Sequence, residues 1–340
     1  MAGNIIYPNV VLENQYESVL TTLLDLQQFL TVDASLEAQS GMKKRIIKKT
    51  VSGSVEDLAM TEGNSETIEV STTYKDYDVG TTQGRFIYYD EEALQDANLV
   101  EAGLKGLAEK MVNDFVAKAV AEWRDASKQQ AYSSTITFSS VVDAIALMNL
   151  ENEDGLWMLI SPAQVAAFRK ALGDELKYVE AFVRSGYIGS VCGVPVYVSK
   201  AIPAGEAIIG TKEAVRLFMK KGTEIEQQRD PNTRKNTIYS RKVALVALVD
   251  DRKLVRIAGE PATATTITTY TKNAKTVAGA ASTGATVEIY INGVLDGTAT
   301  ASSSAYSYTA KENLAAHDQV KVVAKKEGMV DSAAEVEVAE

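Results

Sequence analysis

Cys192 is the only cysteine and His317 the only histidine among the 340 residues. A thiol becomes a nucleophile when a neighbouring base draws off its proton, and an imidazole can shuttle protons or bind zinc. Neither chemistry is open to most of this chain. Residues 1–259 contain no histidine, which removes Ser-His-Asp and Cys-His catalysis and histidine-ligated zinc from that stretch. Cys192 stands in SGYIGSVCGVPVYVSK, residues 185–200, and reads as a small buried thiol. In the same stretch Gly186, Gly189, Gly193 and Pro195 read as turns and close backbone approach leading into a strand. Asp76-Tyr77-Asp78-Val79-Gly80 resembles the start of a calcium loop, but the twelfth position is Ile87, where a bidentate Glu is needed. IIGTKEAV imitates only the end of a phosphate-binding loop, and no G-x-x-x-x-G-K-[ST] occurs. The residues therefore predict no enzyme, no cofactor and no metal.

Charge points the same way about partners. The formal net charge is -10 and the pI about 4.9. The last 81 residues hold 6 Lys against 10 Asp and Glu, a net -4, which leaves -6 for the remainder. Sequence-specific DNA binding needs a basic face that this balance does not supply. An acidic surface tolerates enclosed nucleic acid without gripping it. No apolar run reaches the ~20 residues of a membrane helix. The first eight residues lack the basic and apolar regions of a secretion signal. A lone cysteine forms no internal disulfide, which fits a reducing compartment.

The elements that must position these residues are of α+β character. Residues 1–40 read as an extended arm and then a helix, with Tyr16, Leu20, Leu23, Leu24 and Leu30 on one stripe. Residues 43–90 alternate as strands, with turn signals at Gly63-Asn64 and Val79-Gly80, and read as a long β-hairpin with little core of its own. Isolated two-stranded ribbons are marginal in water, so the hairpin needs something to cover it. Its basic residues Lys43, Lys44, Arg45, Lys48 and Lys49 form a solvated face or pair with an acidic neighbouring subunit. Residues 91–125 place Val100, Leu104, Leu107, Met111, Phe115, Ala119 and Trp123 at steps of three or four, which predicts one helix roughly 50 Å long. Ser139 or Ser140 is expected to cap a helix carrying Val142, Ile145 and Met148. LWMLI, residues 156–160, reads as a buried strand, and Ser161-Pro162 as a helix start ahead of Val165, Phe168 and Leu172. EAIIG is a strand, and TKEAVRLFMKKG a short helix from Thr211 to Gly222. Two further strands, Val243–Val249 and Leu254–Ile257, flank a turn at Asp250-Asp251.

Composition shifts at Gly259-Glu260-Pro261. Residues 262–340 lack arginine and are rich in Thr, Ala and Ser. They read as about seven short strands with turns at Asn292-Gly293, Asp296-Gly297 and Glu327-Gly328, the size of a small β-sandwich.

In order and spacing, WMLISPAQVAAFRK, GYIGSVCGVPVYVSKAIP, AIIGTKEAVRLF and VALVALVDDRKLVRI are similar to segments of tailed-phage major capsid proteins of the Hong Kong 97 type. The resemblance runs through residues 1–259. It implies an N-terminal arm over 1–40, an extension loop over 41–90, and a peripheral domain with a spine helix over 91–134 and 219–259. It also implies an axial domain over 135–218. Residues 262–340 resemble the immunoglobulin-like modules appended to phage capsid and tail proteins. The function implied is structural: pentamers and hexamers of a capsid that encloses double-stranded DNA in the virion, assembled in the host bacterial cytoplasm. A separate scaffolding protein and a portal are the implied partners, with a host-surface glycan a candidate ligand for the exterior module. The basic residues above, Arg85 and the four turn residues are the implied interface and architecture positions. No Lys–Asn crosslinking pair is identifiable. Two rivals are an encapsulin-type shell and a phage tail-tube protein with the same module; the long helix counts against the tube.

Overall fold

The computed structural model describes residues 26–57, 63–96, 98–173 and 189–339. They fall into two compact units. One takes the chain up to Asp125 together with Thr211–Asp251; the other takes Ala126–Gly210 together with the chain from Arg252 onward.

The first unit is built on a four-stranded sheet. Strand β1 (Thr31–Asp33) runs parallel to β10 (Val215–Asp230), which pairs antiparallel with β11 (Lys235–Leu248), and β11 pairs antiparallel with β4 (Gly80–Tyr89). A separate two-stranded ribbon joins β2 (Lys43–Ser52) to β3 (Glu69–Asp78). The predicted hairpin is thus shorter than 43–90: β3 pairs with β2, while β4, which carries Arg85, belongs to the larger sheet. The predicted helix from Thr211 is also not formed. Thr211 closes a single turn, with Ala214 N–H donating to its carbonyl at 3.2 Å, and the chain is strand from Val215. Pairing decides this. Val215 lies opposite Leu248 and Leu217 opposite Val246, so the Val243–Leu248 run is satisfied only by a strand beside it.

Two helices follow β4: α1 (Asp90–Gln95) and α2 (Leu99–Arg124). One continuous helix over 91–125 was expected; the chain breaks it. Asp96 N–H ends α1 on the Glu92 carbonyl at 3.0 Å, and its side chain then accepts the Asn98 N–H at 2.9 Å. That local Asx turn competes with helix continuation. The remaining 26 residues span about 39 Å. Their buried stripe matches the expected one, from Val100 to Trp123, and Ser240 of β11 meets Met111 at 3.9 Å. Of the expected arm helix, residues 1–25 lie outside the described residues; its described end, Leu26–Gln28, is one 3-10 turn.

The second unit holds a six-stranded sheet ordered β5 (Gln129–Tyr132), β12 (Leu254–Gly259), β9 (Ala207–Gly210), β6 (Trp157–Ile160), β8 (Val194–Val198), β7 (Ser190–Val191). The strands either side of Asp250-Asp251 therefore sit in different sheets, β11 in one and β12 in the other. Helices α3 (Phe138–Met148) and α4 (Pro162–Gly173) pack with this sheet. Thr137 caps α3, and Ser140 is the reciprocal member of its capping box. Ile145 and Met148 turn inward, whereas Val142 is exposed. The Ser161 hydroxyl accepts the Gln164 N–H at the start of α4 as expected.

The same unit continues into a C-terminal β module. Strands β13 (Thr276–Ala280) and β16 (Ala305–Thr309) form one sheet. The other has the order β15 (Val294–Thr300), β14 (Thr286–Ile291), β17 (Gln319–Lys325), β18 (Ser332–Glu337). Among the described residues of the module six strands are formed, where about seven were expected. Val277, Val287, Ile289, Tyr306, Val320 and Val322 share one buried core. Asn292 and Gly293, both at positive φ, make the two-residue turn between β14 and β15. Asp296-Gly297 is not a turn. Ile289 faces Gly297 and Tyr290 faces Leu295, so Asp296 bulges out of β15.

Candidate functional site

The β2–β3 ribbon is where side-chain type and exposure disagree most. Directly opposite residues of an antiparallel pair share a face. One face therefore carries Lys43–Asp78, Arg45–Asp76, Ile47–Tyr74, Lys49–Thr72 and Val51–Val70. Toward its far end this face is largely apolar and exposed, interrupted by the Lys49–Thr72 pair: Ile47, Val51, Val70 and Tyr74 are 57%, 65%, 58% and 63% exposed. Val55 and Ile68, just beyond the strands, are exposed as well. The other face is polar over the same length, with Lys48, Thr73, Ser71 and Glu69.

The root of the ribbon is held firmly. Ile46, Tyr77 and Val79 are buried with Leu36, Phe218, Leu245 and Ala247. Tyr77 Oη donates to Glu122 Oε2 at 2.9 Å, and burial together with that carboxylate pushes the phenol up to about 12. Glu122 also accepts the Leu248 N–H at 3.0 Å. Lys75 Nζ lies 2.7 Å from Asp125 Oδ2; burial is the largest single influence and opposes its charge, but the Asp125 hydrogen bond together with the negative charges of Asp125 and Glu122 outweighs it and raises the ammonium pKa. The root is thus fixed to α2 by a tyrosine and a lysine, neither of which stood out in the sequence.

Each sequence-selected residue has a definite place. Lys43 reaches Asp78 at 3.7 Å, with both exposed. Lys44 lies 5.0 Å above the Phe218 ring. Arg45 grips Asp76 with two bonds of 2.6 and 2.7 Å and covers the Tyr74 ring at 4.2 Å. That hydrogen bonding holds the Asp76 carboxyl below the usual range. Lys48 is 3.8 Å from Asp251. Lys49 is exposed opposite Thr72. Four of the five basic residues, Lys43, Lys44, Arg45 and Lys48, therefore meet acidic or aromatic partners within their own chain. Arg85 is apart from it, exposed on β4 opposite Tyr239. Gly186 lies outside the described residues. Gly189, Gly193 and Pro195 belong to the β7–β8 hairpin of the second unit: the Gly189 carbonyl accepts the Val196 N–H at 3.1 Å, and Pro195 faces Ser190. Cys192 and Gly193, at φ 52 and 79, form the two-residue turn. Cys192 is half-buried rather than buried, and burial with the nearby Glu153 charge raises its thiol pKa. That is the environment of an inert thiol.

Sequence reasoning missed the apolar face. The signal was available in the matched four-residue steps Ile47 to Val51 and Val70 to Tyr74, which register places opposite one another. Among the described residues, no group of three or more His, Cys, Asp or Glu is placed to hold a metal ion, and no helix is long and apolar enough to cross a membrane.

A family model described as phage capsid protein matches residues 73–257. The major capsid protein of Staphylococcus phage phiMR11 is 25% identical over 272 residues, covering 75% of this chain and 94% of that protein. The capsid of a native GTA particle superposes with a TM-score of 0.53 at 13% identity, covering 68% of this chain and 88% of the other. A virus-like particle from Pyrococcus furiosus gives 0.51 at 12% identity, covering 74% and 100%. At such identities the structural likeness shows a shared fold.

Proposed function

The chain belongs to the phage capsid protein family, and from that premise we propose that copies of it close into an icosahedral shell, each ribbon lying across a neighbouring copy. It is a phage major capsid protein, a structural shell component with a capsid fold of the Hong Kong 97 type. The observation that carries the proposal is the exposed apolar cluster of Ile47, Val51, Val70 and Tyr74 on one face of a two-stranded ribbon. Covering a large apolar side chain contributes about 1.5–3 kcal/mol. Four per copy, repeated around a closed shell, supply cohesion that no single subunit needs for its own folding.

In this reading residues 1–40 are the arm and 41–90 the extension loop. The peripheral domain, expected over 91–134 and 219–259, corresponds to 91–125 and 211–251 of the first unit. The axial domain, expected over 135–218, corresponds to 126–210 with 252–259 of the second, since β5 and β12 share the sheet of β6 to β9. The axial domain meets its copies in pentamers and hexamers. Lys43, Lys44, Arg45, Lys48 and Lys49 keep the ribbon soluble and in register before assembly. The shell encloses double-stranded DNA without reading its sequence, in keeping with the acidic balance of the chain. Assembly takes place in the host cytoplasm with separate scaffolding and portal proteins. The two-sheet C-terminal module is read as an immunoglobulin-like domain on the shell exterior, with a host-surface glycan as its candidate ligand.

The test is the double variant Val51→Asp/Tyr74→Asp, purified beside the parent chain. Negative-stain microscopy and sedimentation should show closed shells for the parent and folded, unassembled subunits for the variant. Parent-like shells from the variant would remove the ribbon from the mechanism. A cellular compartment shell of the encapsulin type is the second reading, prompted by the full-length overlap with the Pyrococcus furiosus particle. Protein cargo instead of DNA inside particles isolated from their natural source would favour it.

A further inference from the structure

The α/β core of the second unit carries two opposite charges into a dry place. Glu206, at the entry to β9, is 0% exposed, and Arg256, in the middle of β12, is 3% exposed. Arg256 Nη2 lies 2.8 Å from Glu206 Oε1. Burying such a pair is unfavourable unless the remaining donors and acceptors are also met. Here the C-terminal module meets them. Arg256 donates to the Met329 carbonyl at 2.7 Å and to Asp331 Oδ1 at 3.1 Å, and the Gly328 N–H donates to Glu206 Oε1 at 2.8 Å. Two of the three acceptors of Arg256 thus come from residues 329–331, more than seventy positions further along the chain.

The backbone repeats the pattern. Gly259 N–H donates to the Gly328 carbonyl at 2.9 Å and Val330 N–H to the Gly259 carbonyl at 2.8 Å, so 328–330 continues the end of β12 as a short parallel partner. Asp331 N–H donates to the Gln129 side chain of β5 at 2.7 Å. Gly328 has φ 80, which turns its N–H onto Glu206; a residue with a side chain rarely holds that conformation.

We infer that residues 328–331 are a latch. The module between β17 and β18 inserts the missing half of a buried charge site into the α/β core, which clamps the module in one orientation and makes it part of that core's folding unit. A flexibly tethered bead needs no buried arginine, and Arg256 Nε is left without a partner even with the latch closed. That orphan is a cost retained only where the rest of the network is worth keeping. The inference concerns the free subunit and does not depend on shell formation.

The full-length chain tests it by calorimetry and by proteinase K cleavage of the connection at 260–264. The parent should unfold the core and the module in one transition and resist cleavage. Arg256→Leu/Glu206→Leu replaces the buried pair with apolar side chains of related volume, so the core can fold while the latch is cut. It should show two transitions and cleavage about tenfold faster. Gly328→Pro, which removes the N–H to Glu206 and cannot adopt positive φ, should uncouple the halves with both charges in place, and it decides the matter if the double variant does not fold. Two independent transitions in the parent, or cleavage within twofold of the parent in the variant that folds, overturn the latch.

Discussion

The ribbon and the C-terminal module are both made of short strands, yet their apolar residues point to opposite fates. In the module, Val287, Ile289, Val320 and Val322 alternate inward between two sheets and are fully buried. In the ribbon, Ile47, Val51, Val70 and Tyr74 also share one face, with the Lys49–Thr72 pair between them, but they are more than half exposed. Strand propensity is the same in both places; the difference is the second layer. The module supplies its own. The ribbon is rooted at Ile46 and Tyr77 and, among the described residues, supplies none; in the proposed shell another copy covers it. Its open edges are guarded by lysines, a usual defence against indiscriminate strand pairing. A region that completes its core alone contributes to the stability of the subunit; one that leaves it incomplete is, in the proposed function, the part reserved for assembly.

The sharpest way to break this contrast is one truncation in each region. Ile289→Ala should cost the subunit about 2–5 kcal/mol, the usual range for a buried isoleucine, and lower its melting temperature. Val51→Ala should leave subunit stability within about 0.5 kcal/mol, as uncovered positions do, while reducing shell yield in sedimentation. If the two variants melted alike, the ribbon would be supporting itself and the contrast would fail.

A smaller effect separates their polar contacts. Asp296, on the bulge of β15, accepts from Tyr308 Oη at 2.9 Å and from Lys311 N–H at 3.1 Å, tying one sheet of the module to the other. Asp296→Ala should cost about 1–3 kcal/mol, because a phenol and an amide lose a charged acceptor. Asp76→Ala removes a still shorter contact, the Arg45 clamp at 2.6 and 2.7 Å, but on an exposed ribbon. It should leave the melting temperature of the free subunit unchanged and show only as faster hydrogen exchange in β2 and β3. A shared drop in melting temperature would mean that the ribbon is part of the subunit's cooperative unit.

Much of this could be read from local sequence. The Ser161-Pro162 helix start, the fully buried Trp157–Ile160 strand, the Asn292-Gly293 turn and the α2 stripe are each dictated by residues within a few positions of one another. The misreadings involve partners far along the chain or side chains that compete with the backbone. Val215–Gly222 carries helix-compatible residues, and only Leu248 and Val246, some thirty positions later, make it a strand. Asp96 looks like an ordinary helix residue until its carboxylate takes the Asn98 N–H. Asp296-Gly297 has the composition of a turn, but register with Ile289 and Tyr290 makes it a bulge. At the candidate site the basic run was conspicuous and the apolar face was not, since the face exists only once β2 and β3 are placed in register. The Arg256 latch was invisible for the same reason, with its members drawn from residues 129, 206, 256 and 328–331.

The smallest expected effect is the response to acid, and salt is what sharpens it. The Asp76 carboxyl is held below its ordinary value of 3.8 by hydrogen bonds from Arg45, with burial opposing and the charges of Arg45 and Lys43 adding to the shift. In the module, Asp318 is lowered by the Asn292 side chain and by the Ala315 N–H. For a depressed carboxyl the stabilisation is fully present above the unfolded value and is lost as the pH falls through the lower, folded one. Amide exchange in both regions should therefore be flat from pH 8 to 5, apart from intrinsic exchange chemistry, and should accelerate only below about pH 4. The two anchors differ in kind. Asp76 depends on an exposed cation that salt screens, whereas Asp318 depends on neutral N–H donors at fixed positions. Raising the salt from about 0.05 to 0.5 M should weaken protection around Arg45 and leave the β14–β15 turn unaffected. An equal salt response in the two places, or ribbon protection that increased on acidification, would show that the Arg45 clamp does not hold the ribbon in register.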